Sequence, residues 1–539
     1  MRKTGHTLLA LLAAACGHRA DAPPATGEPP PGAPACACRA GEPCWPGADA
    51  WRTLGAQLHG RLEQPSWPVT GRDNPFALQD QSAGTESAGW LDAWQAAPPA
   101  YAVVAHDSAD VAAAVRFAGE HHLRLAIKGT GHDYLGRSTA PGSLLIWTHE
   151  MRDITVHDGF RPAGCAADRP ALPAVSVGAG TRWLEAYTEV TVKHGRYVQG
   201  GGCVSVGAAG GFTQGGGFGS WSKQFGTGAA GMLEAEVVTA DGQVLLANDC
   251  QNQDLYWALR GGGGGTFGVV TRMTLRTHEL PASFGVVRGT LQARSDAAFR
   301  ELLERFTGFY RDALANPHWG EQVGVRGDDS LRVSMVFQGL TQAEAEATWK
   351  PLLDALRARP ADFAVDATVI AVPARAIWDR SVLERIPGAI TVDPRPDSRF
   401  WWWAGNQEEV SIHWYAYQSR YLPAALFAPA SAGHLAQVLF DASRHWTVNL
   451  HFNKGLAGAS ADAVDRGRLT ATNPAVYQAA ALVIAAAGDQ TPDPAEGARQ
   501  RAAVTAAMDV IRAATPDAGT YGNEADYFEP DWQRSFWGD

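Results

Sequence analysis

What this 539-residue chain lacks narrows its function before any motif is read. It has no long run of lysine or arginine and carries a formal charge of -11, so neither nucleic acid nor an anionic membrane surface is an expected partner. No GxxxxGK[ST], HExxH or GxSxG pattern occurs, which removes the obvious nucleotide-hydrolase, zinc-protease and serine-hydrolase readings. The apolar run Leu8 to Ala15 is too short to span a bilayer. With 45% hydrophobic and 19% charged residues there is no compositional case for extensive disorder. The length exceeds what one core usually serves, so two or three domains are expected.

The N-terminus reads as an export signal, with Arg2 and Lys3 ahead of the short apolar run. Leu12-Ala13-Ala14-Ala15-Cys16 approximates a bacterial lipobox with Cys16 as the lipidated residue, although Ala13 stands where a larger aliphatic is preferred; ordinary cleavage nearby is the alternative. Residues 1–16 are thus signal, and residues 17–50 a Pro, Gly and Ala-rich tether leading into a cysteine-containing segment. Seven cysteines occur, at 16, 36, 38, 44, 165, 203 and 250. Cys36, Cys38 and Cys44 favour a local disulfide over a metal site in an exported chain, with the pairing open. Trp401-Trp402-Trp403 reads as a buried strand or domain seam ahead of a sugar-stacking surface.

From Tyr101 onward strand and helix signals alternate. Tyr101 to Val104 is a strand, Ser108-Ala109-Asp110 caps a helix from Val111 to His121, and Leu123 to Ile127 is the next strand. Val175 to Val177 precedes a helix from Trp183 to His194; strands at Ala235 to Val238 and Gln243 to Leu246 flank the turn Asp241-Gly242. Gly263 to Gly268 and Gly226 to Gly231 both fit GxGxxG, yet both run into β-rich sequence, so a Rossmann fold is disfavoured. After about residue 281, helices such as Ala298 to Leu314 and Gln342 to Arg357 alternate with strands such as Leu331 to Phe337 and Val448 to Phe452. That pattern is an α+β unit with one sheet covered by helices.

Two glycine-rich loops carry the chemistry. Gly129-Thr130-Gly131-His132-Asp133-Tyr134-Leu135-Gly136-Arg137-Ser138 presents an imidazole, and Gly200-Gly201-Gly202-Cys203-Val204-Ser205-Val206-Gly207 a lone cysteine. Glycine allows positive φ and lets backbone N–H groups face an anion, so the pair suits a large phosphate-bearing cofactor gripped at two points. The pairing resembles the berberine-bridge-enzyme-like branch of the vanillyl-alcohol oxidase superfamily, and so does the stretch from Tyr521-Gly522-Asn523-Glu524 to Gly538. The likeness is strong over residues 96–280, clear at the C-terminus and weaker between; relatives usually continue with another helix where this chain stops at Asp539.

The resemblance implies an α+β fold: a two-part PCMH-type FAD-binding domain at 96–280, a substrate domain at 281–510, and a segment at 511–539 returning to the FAD domain. It implies FAD bonded twice, through His132 to the flavin 8α-methyl and through Cys203 to ring carbon C6, which raises the flavin potential and fixes its geometry. Gly129, Thr130, Gly131, Asp133, Gly136, Arg137 and Ser138 would line the pyrophosphate and adjoining flavin. Gly202, Gly207, Gly210, Gly211, Gly215, Gly216 and Gly217 would let backbone pass near the ring, with Asn523 added from the C-terminus. Phe218 stands where plant relatives often carry a catalytic tyrosine, so that scheme does not transfer intact.

For the base, alternation on Val448 to Phe452 puts Asn449, His451 and Asn453 on one face, and His451 is the candidate. Tyr415, Tyr417 and Glu524 are rivals. Val206, three residues after Cys203, occupies the position where valine accompanies oxidase behaviour in the family. The expected protein is an exported, monomeric oxidase that acts on an alcohol or carbohydrate hydroxyl and gives electrons to oxygen. A dehydrogenase with another acceptor and a flavin-bearing surface binding protein are the alternatives.

Overall fold

The computed structural model describes residues 37–539. Three large sheets and a two-stranded one organise them. In the first, Tyr101–Val104, Leu144–Trp147 and Leu125–Lys128 lie parallel, with Arg61–Glu63 antiparallel at the edge. Parallel neighbours need a long crossover, and the helix Ser108–Glu120 provides one, burying Val111, Val115 and Ala118. Its cap is Asp107, one residue before the expected capping stretch Ser108 to Asp110: the carboxylate accepts from the N–H groups of Ala109 and Asp110 at 2.9 and 3.1 Å. Asp110 is buried instead, and accepts from the backbone of His59, Gly60 and His106.

The second sheet orders Val244–Asn248, Met232–Val238, Val269–Glu279, Leu172–Gly178 and Ile154–Phe160 antiparallel, and Arg196–Val198 also pairs with Val269–Glu279. The Gly263–Gly268 stretch runs directly into a strand, and Gly226–Gly231 reaches one after a single turn of helix at Gly228–Gly231. Neither offers the helix N-terminus of a Rossmann site.

The third sheet starts after the turn between Glu279 and Ser283. Its nine strands run in the order Phe363–Pro373, Ser283–Ala293, Ser330–Gln338, Trp319–Val325, Val448–His451, Ala479–Asp489, Ile412–Pro423, Ser87–Trp90 and Trp94–Gln95. Helices Asp296–Phe309, Gln342–Arg357, Ala432–His445 and Pro494–Ala514 share one apolar core with it. The last two strands come from upstream of residue 96: Ser87–Trp90 pairs parallel to Ile412–Pro423, a long-range contact that local periodicity does not encode, and Trp94–Gln95 pairs antiparallel to Ser87–Trp90. Two expected helices end in π-helical turns, at Thr188–Lys193 and Tyr310–Leu314. Trp401–Trp403 is a strand paired with Ile390–Val392, and Trp401 and Trp402 are buried, as the seam reading expects.

Disulfides join Cys38 to Cys44 and Cys165 to Cys250, leaving Cys203 as the free cysteine among the described residues. The expected signal at residues 1–16, with Cys16 and Cys36, lies outside the described residues. No helix among the described residues is long and apolar enough to cross a membrane.

Candidate active site

The strand Leu125–Lys128 delivers the histidine loop, and a buried lysine fixes its shape. Lys128 Nζ donates to the carbonyls of Gln81, Ser82 and Gly84 at 2.7, 2.7 and 2.8 Å, while burial pushes its pKa down to about 7. Gly131 sits at φ 84° with the Gly84 carbonyl 3.1 Å from where a Cβ would be, so a side chain there would strain the turn and crowd that carbonyl. Glu86 N donates back to Gly131 O at 3.0 Å. The segment 81–86 is therefore bound to the histidine loop along its length.

His132 Nε2 lies 2.9 Å from Ser205 Oγ and 3.7 Å from Glu86 Oε2. Burial, aided by Arg182, drives the imidazole pKa down to about 3, so the ring is neutral. Burial and Glu409 push the Glu86 carboxyl up to about 8, and its Oε2 has no hydrogen-bond partner. The cysteine loop meets the histidine loop where Gly207 N donates to Thr130 Oγ1 at 3.0 Å. Asn406 Nδ2 donates to Cys203 Sγ at 3.0 Å, and Trp403 Nε1 to Gly202 O at 3.0 Å, so the segment after the tryptophan strand roofs the thiol. Burial, then Glu409 and Glu86, raises the thiol pKa well above its ordinary value.

Both loops open on one cavity of about 410 Å³. Of the expected residues, Gly129, Thr130, Gly131, His132, Asp133, Gly136, Arg137, Ser138, Cys203, Val206, Gly207, Gly210, Gly211, Asn523 and Glu524 line it. Asp133 accepts from Arg137 N and Nε at 2.6 and 2.7 Å, so the arginine is held by its own loop. Asn523 Nδ2 donates to Gly211 O at 2.8 Å and Gly217 N to Tyr521 Oη at 3.2 Å, which returns the C-terminal segment to the glycine loops.

Other expected residues are placed elsewhere. Gly202 is exposed beneath Trp403, and Gly215 lines a neighbouring cavity of about 450 Å³ together with Tyr521 and Trp537. Gly216 and Gly217 accept from Ala229 and Gly228 N–H in a turn behind the wall. Tyr415 is turned away: a bulge between Trp414 and Ala416 puts its ring into the helix-covered core, where Oη accepts from Asp493 N at 2.9 Å. His451 does not line the cavity, and burial beside Lys454 holds its pKa well below the ordinary value, which makes it a poor proton acceptor. Asn453 leaves the strand face because Phe452–Lys454 turns as a 3-10 helix.

That turn brings Lys454 into an ion pair with Glu524. Glu409, three residues after Asn406, is pushed up to about 7 by burial and then by Glu524. The phenols of Tyr134 and Tyr417, with ring centres 5.1 Å apart, are held well above their ordinary pKa by burial, then by Glu409 for Tyr134 and by Glu524 for Tyr417. Glu86, Glu409, Lys454 and Asn406 carry no motif and go unnoticed in the sequence. Gly264 and Gly265, from the stretch set aside as a failed GxGxxG, also line the cavity.

The walls fit a large planar group. A Cβ on Gly210, Gly211 or Gly265 would meet nothing within 4 Å, so the bare backbone leaves open space on that side of the cavity. Comparison with known proteins agrees. A family model described as an FAD binding domain matches residues 99–248. An uncharacterized FAD-linked oxidoreductase of Arthroderma benhamiae is 31% identical over 94% of this chain and 90% of its own. The VAO-type flavoprotein oxidase VAO615 of Thermothelomyces thermophilus is 30% identical, covering 94% of this chain and 89% of its own. The solved VAO-type flavoprotein MtVAO615 from Myceliophthora thermophila C1 superposes with a TM-score of 0.72 at 27% identity, over 94% of this chain and 93% of its own. The chain therefore belongs to the FAD-linked oxidoreductases of the vanillyl-alcohol oxidase type.

Proposed function

We propose that the protein is an exported oxidase that holds FAD by two covalent bonds, through His132 and Cys203. It oxidises an alcohol or carbohydrate hydroxyl, with oxygen as acceptor and hydrogen peroxide as product. The observation that carries this is the convergence of the two side chains on one cavity, Cys203 being the free thiol among the described residues. Bound there, FAD supplies the two-electron acceptor.

His132 is neutral and keeps a ring lone pair for attachment. Glu409, a half-buried carboxyl coupled to the cavity-lining Glu524 and raised to about 7, takes the substrate hydroxyl proton. The Lys454 ammonium holds Glu524 in its ion pair and leaves Glu409 as the adaptable acid of the pair. Val206, on the same wall as Cys203, leaves the space in which oxygen approaches. Export is supported by the two disulfides together with the charged start and short apolar run, and Cys16 is the site for lipid.

Intact mass after acid or detergent denaturation tests the attachment. The polypeptide should exceed its apo mass by one FAD, and His132→Ala and Cys203→Ala should each keep it through the remaining tether. Release of all flavin from the unmutated protein sinks the proposal. Anaerobic flavin bleaching across an alcohol, sugar and amine panel identifies the substrate class, and absence of peroxide in air during turnover would instead support a dehydrogenase.

A further inference from the structure

The Glu86 carboxylate stands out because the mechanism above makes no use of it. It is buried, its Oε2 finds no hydrogen-bond donor, and that atom lies 3.7 Å from the Nε2 of the histidine expected to carry FAD. An unpaired polar atom in a buried position is costly to keep, so its position asks for a reason. The surroundings hold it there by construction. Lys128 grips three carbonyls of the preceding turn, Thr85 Oγ1 donates to Ser87 O at 2.8 Å, and Glu86 N is bonded to the residue before His132. The other group at Nε2 is the Ser205 hydroxyl, which can share a proton but is far too weak a base to remove one. With Nε2 turned toward Glu86 and Ser205, Nδ1 is the nitrogen left to bond elsewhere.

We propose that Glu86 is the proton acceptor and positioning residue for His132 during attachment of FAD, drawing the proton from Nε2 as Nδ1 bonds to the flavin 8α carbon. The inference rests on the proposed His132 tether. A C–N bond forms between Nδ1 and the methyl carbon, and one C–H bond of that methyl and the N–H bond at Nε2 break. The electron pair of the C–H bond passes into the isoalloxazine. The two protons, one of them carried by Glu86 on the way, end on the reduced ring. Oxygen then takes the electron pair and both protons as hydrogen peroxide, so the balance closes with the acceptor of the proposed reaction. Burial raises this carboxyl to about 8, so it is the ionised form that takes the imidazole proton and binds it firmly, and attachment should speed up as pH rises toward that value.

The experiment uses the full chain, purified without FAD and then mixed with FAD in air, and reads the fraction of flavin left on acid-precipitated protein against time. In Cys203→Ala only the His132 tether is available, so attachment there reports on that bond. Adding Glu86→Gln to this variant should slow attachment roughly 100-fold, the scale of a lost general base, and Glu86→Asp should recover part of the rate. Glu86→Gln with Cys203 intact should still attach FAD through the thiol, which shows that the cavity is formed. Equal rates in Cys203→Ala and Cys203→Ala with Glu86→Gln overturn the role of Glu86 alone. Loss of both tethers in Glu86→Gln overturns it too, because the residue would then be structural. If Cys203→Ala releases all its FAD, the His132 tether fails, and this inference falls with it.

Discussion

The nine-stranded sheet buries both faces, but against different partners. On one face Leu450, Val448, Val323, Val483 and Tyr415 join Phe299, Leu302, Trp349, Leu439 and Met508 from four helices in a single apolar core. On the other face Tyr417, Tyr421, Leu482 and Ile484 meet Tyr134, Phe218 and Tyr521 from the flavin-binding part of the chain. The strand Ala479–Asp489 shows the division cleanly, with Val483 and Ala485 on the helix side and Leu482 and Ile484 on the cavity side. The first face holds few polar groups and serves stability. The second lies beside the Lys454–Glu524 ion pair and Glu409, whose carboxyl is raised by burial and then by Glu524. On this strand, alternation separates residues that pack against the helices from residues that face the flavin-binding part.

The largest expected effect lies on the cavity side. Glu409→Gln should lower kcat/KM by roughly 100- to 10,000-fold at neutral pH, the range for a lost general base. The wild-type profile carries the sign. The base works deprotonated, so the rate should be full above about 7 and fall as pH drops through that value. The variant should lose this limb. A full pH dependence in Glu409→Gln would break the assignment and, with it, the division of labour between the faces.

Next comes the helix side. Leu450 is fully buried in the apolar core, and Leu450→Ala should cost about 2 to 5 kcal/mol of stability through lost burial and the cavity left behind. Denaturant unfolding measures it. The folded fraction should keep its FAD and its turnover. A change in turnover larger than the loss of folded protein would show that the two faces are not independent.

The sequence discloses these two faces unequally. Helices such as Gln342–Arg357 follow from periodicity and their caps, and Thr341 with Glu344 forms the reciprocal capping pair. The histidine and cysteine loops are legible because close approach to a large cofactor demands glycine at many adjacent positions, a dense local signal. Glu86, Glu409 and Lys454 leave no such trace. Each is a single charged residue whose place is set by contacts far along the chain: the clamp on Lys128 for Glu86, the segment after the tryptophan strand for Glu409, and the turn at Phe452–Lys454 for Lys454. Tyr415 fails for a related reason: one extra residue at the bulge inverts the face that simple alternation assigns.

A smaller effect is expected at Val206, which lines the cavity beside Cys203. Val206→Leu adds one methylene to a packed wall and should slow reoxidation of the reduced enzyme by roughly tenfold, because interiors do not readily yield space for a diatomic. Stopped-flow measurement of the two half-reactions decides it. Equal slowing of substrate reduction and reoxidation, or no effect on either, would refute gating at this position.

The smallest effect tests the comparison most finely, using two tyrosines two residues apart on the strand Ile412–Pro423. Tyr415 accepts a hydrogen bond from Asp493 N at 2.9 Å, at the start of the helix Pro494–Ala514. Tyr415→Phe removes that acceptor and should cost about 1 kcal/mol of stability, the usual net worth of one such bond, while leaving turnover unchanged. Tyr417 faces Tyr134 and feels Glu524 and Glu409, which with burial keep its phenol protonated. Tyr417→Phe retains the ring packing, so unfolding should shift by less than about 0.5 kcal/mol, as for changes that touch no buried bond. Its effect should appear in kcat/KM, because the ring packs against the cavity-lining Tyr134 and the hydroxyl feels the cavity-lining Glu524. The pair thus predicts a crossed result, stability without activity at one residue and activity without stability at the other. If Tyr415→Phe lowered turnover while Tyr417→Phe lowered stability, the bulge would not direct these side chains as described, and the assignment of the two faces would have to be reversed along this strand.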